Sequence, residues 1–227
     1  MSQAMLLYAH LTDKELLKTM QQPGRALCFE VLVRRHSNAL YRIARVYELN
    51  TCDAGELVRC AHVEAFRRIS EFPQRLSFRT WLSRLMITHC LKVRKNDPNE
   101  GLISEPACGR VPAALPADSL RVEKTDEVEG KAENRVEALP LPVRTAYVLA
   151  EIDGYSISET AYLLSTTEEH IRTRLLKART LLKRTHRGVQ DFPGVYQLSS
   201  DRIDRIVSEV LRGIEVEPGQ PAGVPTA

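Results

Sequence analysis

The chain is poor in the features that build most enzymes, membrane proteins and secreted domains. Aromatics make up 6% of its 227 residues, with a single tryptophan, and the five cysteines (Cys28, Cys52, Cys60, Cys90, Cys108) form no CxxC pair. An odd, unpatterned cysteine count argues for a reducing compartment and against a disulfide framework. Cys60 and His62, with Cys52, hint at a metal, but four-ligand zinc spacing is missing, so neither metal nor cofactor is expected. No apolar run nears the roughly 20 residues of a membrane span, and no basic start precedes an apolar core as in a signal peptide. A cytoplasmic protein without membrane insertion is therefore expected. A Gly-rich phosphate loop, HExxH and GxSxG are all absent, and His62, His89 and Cys90 have no evident carboxylate or base partner. The sequence nominates no catalytic residue, and an enzyme is not expected.

What the chain does have is charge in separate blocks, which the formal net charge of +3 conceals. Residues 72–96 and 170–190 hold 13 of the 32 lysines and arginines and none of the 29 acids, leaving 19 bases against 29 acids elsewhere. Basic stripes on an acidic body favour oriented binding to a polyanion over general stickiness. From Asp97 to Glu137 the balance reverses, with ten acids and five bases, and Pro98, Pro106, Pro112 and Pro116 exclude a long helix. This is linker composition. A solvated spacer and a nucleic-acid mimic that occupies a basic channel both fit it.

Apolar spacing predicts an all-α protein of two helical domains joined by this acidic, proline-containing linker. Thr12 and Glu15 form a capping box for a helix to about Met20. Phe29, Leu32, His36, Leu40, Ile43 and Tyr47 mark an amphipathic helix over 26–48, and Leu57, Ala61, Ala65 and Ile69 share one face of the next, which Pro73 ends. Residues 77–95 resume as a helix around Trp81, Leu82, Leu85 and Met86. After the linker, Leu139, Val143, Ala146 and Leu149 form an apolar face stopped by Asp153-Gly154, and Ser156 with Glu159 caps the following helix. Ser165-Thr166-Thr167 is a turn, and Glu168 to Thr185 is a long basic helix. Ile203, Ile206, Val207, Val210, Leu211 and Ile214 predict one more amphipathic helix, and 215–227 is Pro/Gly-rich with the composition of a disordered tail. The expected boundaries are 10–96 and 136–187 for the domains, 97–135 for the linker and 188–227 for a C-terminal extension.

The basic helix behind a tight turn is the footprint of a helix-turn-helix DNA reader, whose second helix enters the major groove. Ile171 and Leu175 should pack inward, leaving His170, Arg172, Thr173 and Arg174 outward with Thr167 and Lys177 beside them. Arginine suits guanine O6/N7, and threonine suits phosphate or bases. Glu168 and Glu169 fit the helix dipole but sit awkwardly near phosphates. Upstream, Phe72, Phe78 and Trp81 lie among Arg75, Arg79 and Arg84, with Ser77 and Thr80 between. Aromatics can stack unpaired bases while arginines hold a single strand; packing of Phe78 and Trp81 in the core is the competing reading. Asp53-Ala54-Gly55-Glu56-Leu57-Val58 places acids in a first helical turn, which capping alone would explain.

In this order and separation, these blocks resemble the extracytoplasmic-function sigma factors of bacterial RNA polymerase, over about residues 11–187. Leu11-Thr12-Asp13-Lys14-Glu15-Leu16-Leu17, Phe29-Glu30, Arg34-Arg35-His36 and Leu40-Tyr41-Arg42-Ile43-Ala44 are similar to the family's start. The resemblance implies that Asp53, Glu56, Leu57 and Val58 lie on the helix that binds core polymerase. It implies that Arg75, Ser77, Phe78, Arg79, Thr80, Trp81 and Arg84 open and read the −10 promoter element. Leu139-Pro140 to Arg144, Gly154 to Ala161 and Ile171 to Arg179 resemble the −35 reader, which implies −35 contacts from Thr167, His170, Arg172, Thr173, Arg174 and Lys177. Core RNA polymerase, promoter DNA and an anti-sigma factor are the implied partners, and the linker is implied to thread toward the polymerase active site.

Three positions depart from the family pattern. Gly55 stands where an acid is usual, Arg59-Cys60 where a Gln-Glu pair is usual, and Ser165 where a turn glycine is common. Two further readings follow from the residues: a sigma-like DNA-binding regulator that no longer binds core polymerase, and a protein-interaction module using the linker and C-terminal helix.

Overall fold

The computed structural model describes residues 3–20, 25–47, 51–73, 75–95, 133–185 and 195–215. The linker expectations for 97–132, the basic residues at 186–190 and the tail beyond 215 lie outside these described residues. Every regular element among them is helical. In the first half these are α1 (Gln3–Tyr8), α2 (Asp13–Thr19), α3 (Arg25–Val46), α4 (Thr51–Arg67), a 3-10 turn at Ile69–Glu71, and α5 (Phe78–Lys95). In the second they are α6 (133–137), α7 (Leu141–Tyr147) running into a π-helical turn at Val148–Ile152, α8 (Ile157–Leu163), α9 (Glu168–Thr185) and α10 (Ser200–Glu215).

Local chemistry sets the helix starts. Both expected capping boxes form. The Thr12 hydroxyl accepts from the Glu15 N–H at 3.4 Å while Glu15 accepts from the Thr12 N–H at 2.7 Å. Ser156 and Glu159 repeat the exchange at 3.2 and 3.0 Å. Such a cap is worth about 1 kcal/mol. The stop at Asp153-Gly154 is also local: Gly154 adopts φ +71°, which turns the chain so that the Tyr155 N–H reaches the Leu149 carbonyl at 3.0 Å.

Helix α3 is the axis of the molecule, with α1, α2, α4, α5, α7 and α10 packed on it. Phe29, Leu32, Leu40 and Ile43 from α3 are fully buried against Ala54, Val58 and Ala61 from α4 and Leu82 and Met86 from α5. In the second half α9 packs on α7 and α8, with Ile171 and Leu175 buried against Ala146 and Ala161. The halves do not keep separate cores. Val136, Val148, Leu149, Tyr155 and Leu163 join the cluster built around α3, because α8 packs on α5 and α7 on α3. Arg144 carries this joint through a buried guanidinium, donating to the Leu139 carbonyl at 3.1 and 3.2 Å and to the Val46 carbonyl at 3.3 Å.

Candidate nucleic-acid interface

On α9 the apolar stripe Ile171, Leu175 and Ala178 faces inward and leaves His170, Arg172, Thr173 and Lys177 exposed, with Arg174 half-buried. The first turn is organised by its own side chains. Thr167 caps the helix by accepting from the His170 N–H at 3.3 Å, and the Thr166 hydroxyl lies 3.2 Å from His170 Nδ1. Glu168 pairs with Arg172 at 2.9 Å, and Thr173 donates to the Glu169 carbonyl at 3.0 Å. The awkward glutamate at 168 thus has a local cation, Arg172, one turn away, and the pair holds that arginine along the helix surface. Further down, Arg179 donates to Glu151 at 2.5 Å.

At the start of α5 the packing follows the second of the two readings the sequence left open, burial of the aromatics. Phe78 and Trp81 are 3% and 8% exposed, and with Phe72 and His36 they form an edge-to-face cluster with centroids 5.4–6.0 Å apart. Their faces are not open for stacking. Burial of large rings outweighs display here, since each removes well over 100 Å² from water. Arg75 and Ser77 remain exposed, and Ser77 caps α5 by accepting from the Thr80 N–H at 3.1 Å.

The remaining candidates on α5 face the second half of the chain. Arg79 donates to the Asp153 carbonyl and stacks 4.1 Å from the centroid of the Tyr155 ring. The Thr80 hydroxyl donates to Glu159 at 3.0 Å, and the Ser83 and Tyr155 hydroxyls are 2.6 Å apart. Arg84 donates to the Leu163 carbonyl at 2.6 Å and lies 5.8 Å from the centroid of the Tyr162 ring. From α3, Arg42 donates to Asp153 Oδ1 at 2.6 Å. Burial pushes the Asp153 carboxyl above its ordinary value while Arg42 and Arg79 pull it back. Burial also raises Glu159, but the Ser156 and Thr80 hydrogen bonds outweigh it and hold that carboxyl below the usual range. None of Arg42, Asp153 or Tyr155 was nominated by the sequence. Asp153 carries only a helix-stop signal there, and pairing over 111 positions leaves no local mark.

On α4, Asp53 is exposed, while Glu56 and Leu57 are partly buried. Val58 is 0% exposed and belongs to the core, so it fixes α4 in place and cannot face a partner. Glu56 is clasped by Arg59, whose Nε donates to its two oxygens at 2.9 and 3.1 Å. Among the described residues no group of three or more His, Cys, Asp or Glu could hold a metal ion, and no helix is long and apolar enough to cross a membrane.

Comparison with known proteins agrees with this geometry. Residues 32–96 match the family model described as Sigma-70 region 2, and residues 130–182 match Sigma-70, region 4. The chain is 29% identical over 177 residues to the ECF RNA polymerase sigma factor SigM of Mycobacterium tuberculosis (strain ATCC 25618 / H37Rv), covering 76% of this chain and 84% of the relative. It is 25% identical over 187 residues to the ECF RNA polymerase sigma-E factor of Escherichia coli (strain K12), covering 74% and 91%. Among solved structures, CnrH in complex with the cytosolic domain of CnrY shares the fold, with a TM-score of 0.54 at 21% identity over 76% of this chain and 96% of that one. The chain belongs to the sigma-70 family of transcription initiation factors, in its extracytoplasmic-function group.

Proposed function

We propose that this chain binds core RNA polymerase and directs it to promoters with paired −10 and −35 elements, acting in the cytoplasm and contributing no catalytic group. The single observation that carries this reading is the coexistence on one chain of two family regions in order, 32–96 and 130–182. Asp53 and Glu56, with Leu57 beside them, offer α4 to the polymerase; Val58 supports them from the core. Arg75, Ser77, Arg79, Thr80 and Arg84 hold the melted −10 strand, and the buried Phe78 and Trp81 shape the loop that presents them. Thr167, His170, Arg172, Thr173, Arg174 and Lys177 read the −35 duplex in the major groove. Because Arg79, Thr80 and Arg84 are engaged by the second half of the chain, DNA binding requires the halves to part. An anti-sigma factor is a partner suited to holding them together.

The test is retention of core polymerase on the immobilised chain, with Asp53→Arg/Glu56→Arg as the control. Stoichiometric retention by the parent chain, at least tenfold weaker in the double variant (about 1.4 kcal/mol or more), is expected. A folded chain that retains no polymerase leaves the DNA-binding regulator as the better reading.

A further inference from the structure

The C-terminal segment is fastened to α3 and α6 by more than apolar contact. Val195, Tyr196 and Leu198 are buried, and the Tyr196 ring, 1% exposed, lies with its centroid 4.9 Å from the Arg45 guanidinium. The Tyr196 N–H donates to Glu133 at 3.0 Å, its hydroxyl to Glu137 at 3.2 Å, and the Leu198 N–H to Asn38 at 2.8 Å. These bonds hold Tyr196 at φ +52°, a conformation that a bulky L-residue otherwise avoids. From this anchor α10 runs along α3 and α4, burying Ile206, Val207 and Val210. Asp204 pairs with Arg34 on α3.

The far end of α10 also meets α4. A Cβ at Gly213 would lie 3.2 Å from Val63 Cγ2 and 3.7 Å from Arg59 Nη1, so α10 sits here directly against these two α4 side chains and a larger residue would have to push them aside. Arg59 is the residue that clasps Glu56, and Glu209 of α10 adds a weaker pull to the hydrogen bonds that already hold Arg59 protonated. Arg59 is also one of the positions where the chain departs from its family. The departure, the masked acid and a contact with α10 therefore coincide on one stretch of α4.

We infer that α10 is a built-in occupant of the polymerase-docking surface of α4, so that core polymerase and α10 exclude one another. This rests on the reading of α4 as the docking helix. Glu56 is neutralised by Arg59 within α4, and with α10 seated the surface flanking that pair is covered by an amphipathic helix. Release of α10 uncovers that surface while the Tyr196 anchor keeps the helix tethered nearby. The apparent affinity for polymerase is then the intrinsic affinity reduced by the fraction of chains with α10 lifted.

Hydrogen exchange on the full chain, alone and saturated with core polymerase, tests the inference directly. Amides of 200–215 should be protected in the free chain and lose protection in the complex. Protection retained in the complex, or missing from the free chain, overturns it. A second arm uses Gly213→Phe, whose ring wedges α10 away from Val63, and should raise the apparent affinity about tenfold. Should that chain not fold, Asp204→Arg, which breaks the Arg34 pair from the exposed side, should shift affinity in the same direction. Unchanged or weaker binding by a folded variant overturns the inference. Loss of binding in Asp53→Arg/Glu56→Arg with α10 still protected in the wild-type complex sinks this inference alone. Failure of the wild type and all variants to bind polymerase removes the docking reading as well.

Discussion

Ser165 sits at φ +50° between α8 and α9, with its N–H donating to the Tyr162 carbonyl at 3.3 Å and the Thr166 N–H to the Ala161 carbonyl at 3.0 Å. This is the helix ending in which a left-handed residue satisfies the last carbonyls, a position that favours glycine. The sequence left two options for this non-glycine turn, a different backbone or some strain, and the chain takes the strain. Ser165→Gly should therefore stabilise the fold by about 0.5–1 kcal/mol, the strain relieved being partly offset by glycine's greater chain entropy. A rise in the urea midpoint with unchanged duplex affinity is the expected result. His62 makes a second residue-level prediction. Burial, helped by His36, lowers its pKa from 6.5 to about 3, and its Nε2 lies 3.3 Å from the Ser37 hydroxyl. The imidazole stays neutral in the folded chain but takes a proton near 6.5 once unfolded. Its contribution is thus complete above that value and is lost as pH falls toward the depressed one. Between about pH 7.5 and pH 5 the unfolding free energy should fall by roughly 2 kcal/mol from this group. A His62→Gln chain should show a correspondingly flatter slope in urea melts at a series of pH values.

At the scale of elements, α9 shows what a sequence can and cannot reveal. Its inward face is a local period, so Ile171 and Leu175 were readable from spacing alone, and both are buried. The same holds for the two capping boxes, which depend on residues three apart. The Glu168–Arg172 pair is within reach of the same logic, being one helical turn, but its effect on DNA reading is set by what the duplex presents. At α5 the aromatic spacing supported both display and burial, and only packing against His36 from a distant helix decides for burial. Val58 is buried for a related reason: on an amphipathic helix the apolar member of a binding motif is also the natural core residue. For α9 the expected outcomes differ by residue. Lys177→Ala should weaken promoter-duplex binding evenly across sequences and lower the salt dependence by about one counterion. Arg174→Ala should cost about 1–3 kcal/mol at particular base pairs. Fluorescence anisotropy against salt, on a duplex and its single-substitution set, separates the two.

For the molecule as a whole, the contact between α5 and the α7–α9 unit is the joint that no pattern in the sequence announced. Its participants on α5 lie 72 to 79 positions from their partners, and the supporting Arg42–Asp153 pair from α3 spans 111. The joint is not a relaxed one. Asp153 is buried with one oxygen held by Arg42 and the other without a hydrogen-bond partner among the described residues. A carboxyl whose value is raised by burial favours closure fully below its ordinary value of 3.8 and withdraws that support as pH rises through the raised one. Near neutrality Arg42, with a smaller contribution from Arg79, compensates the buried charge. Arg42→Ala should therefore weaken the closed arrangement by about 3–5 kcal/mol, the cost of stranding a buried ion. Small-angle scattering should show a larger radius of gyration, and affinity for single-stranded DNA should rise as Arg79, Thr80 and Arg84 come free. An unchanged radius in a folded variant would mean that the apolar contacts alone keep the halves together.

The side chains that fasten this joint are the ones assigned to the melted strand. Arg79, Thr80 and Arg84 each hold a partner in the second half, through the Asp153 carbonyl, Glu159 and the Leu163 carbonyl. Under the proposed −10 role, a change at any of them should alter two equilibria together, preference among promoters and the fraction of chains at rest. Selection on one property would then drag the other with it, so that promoter choice could not drift freely: each new preference would arrive with its own idle setting.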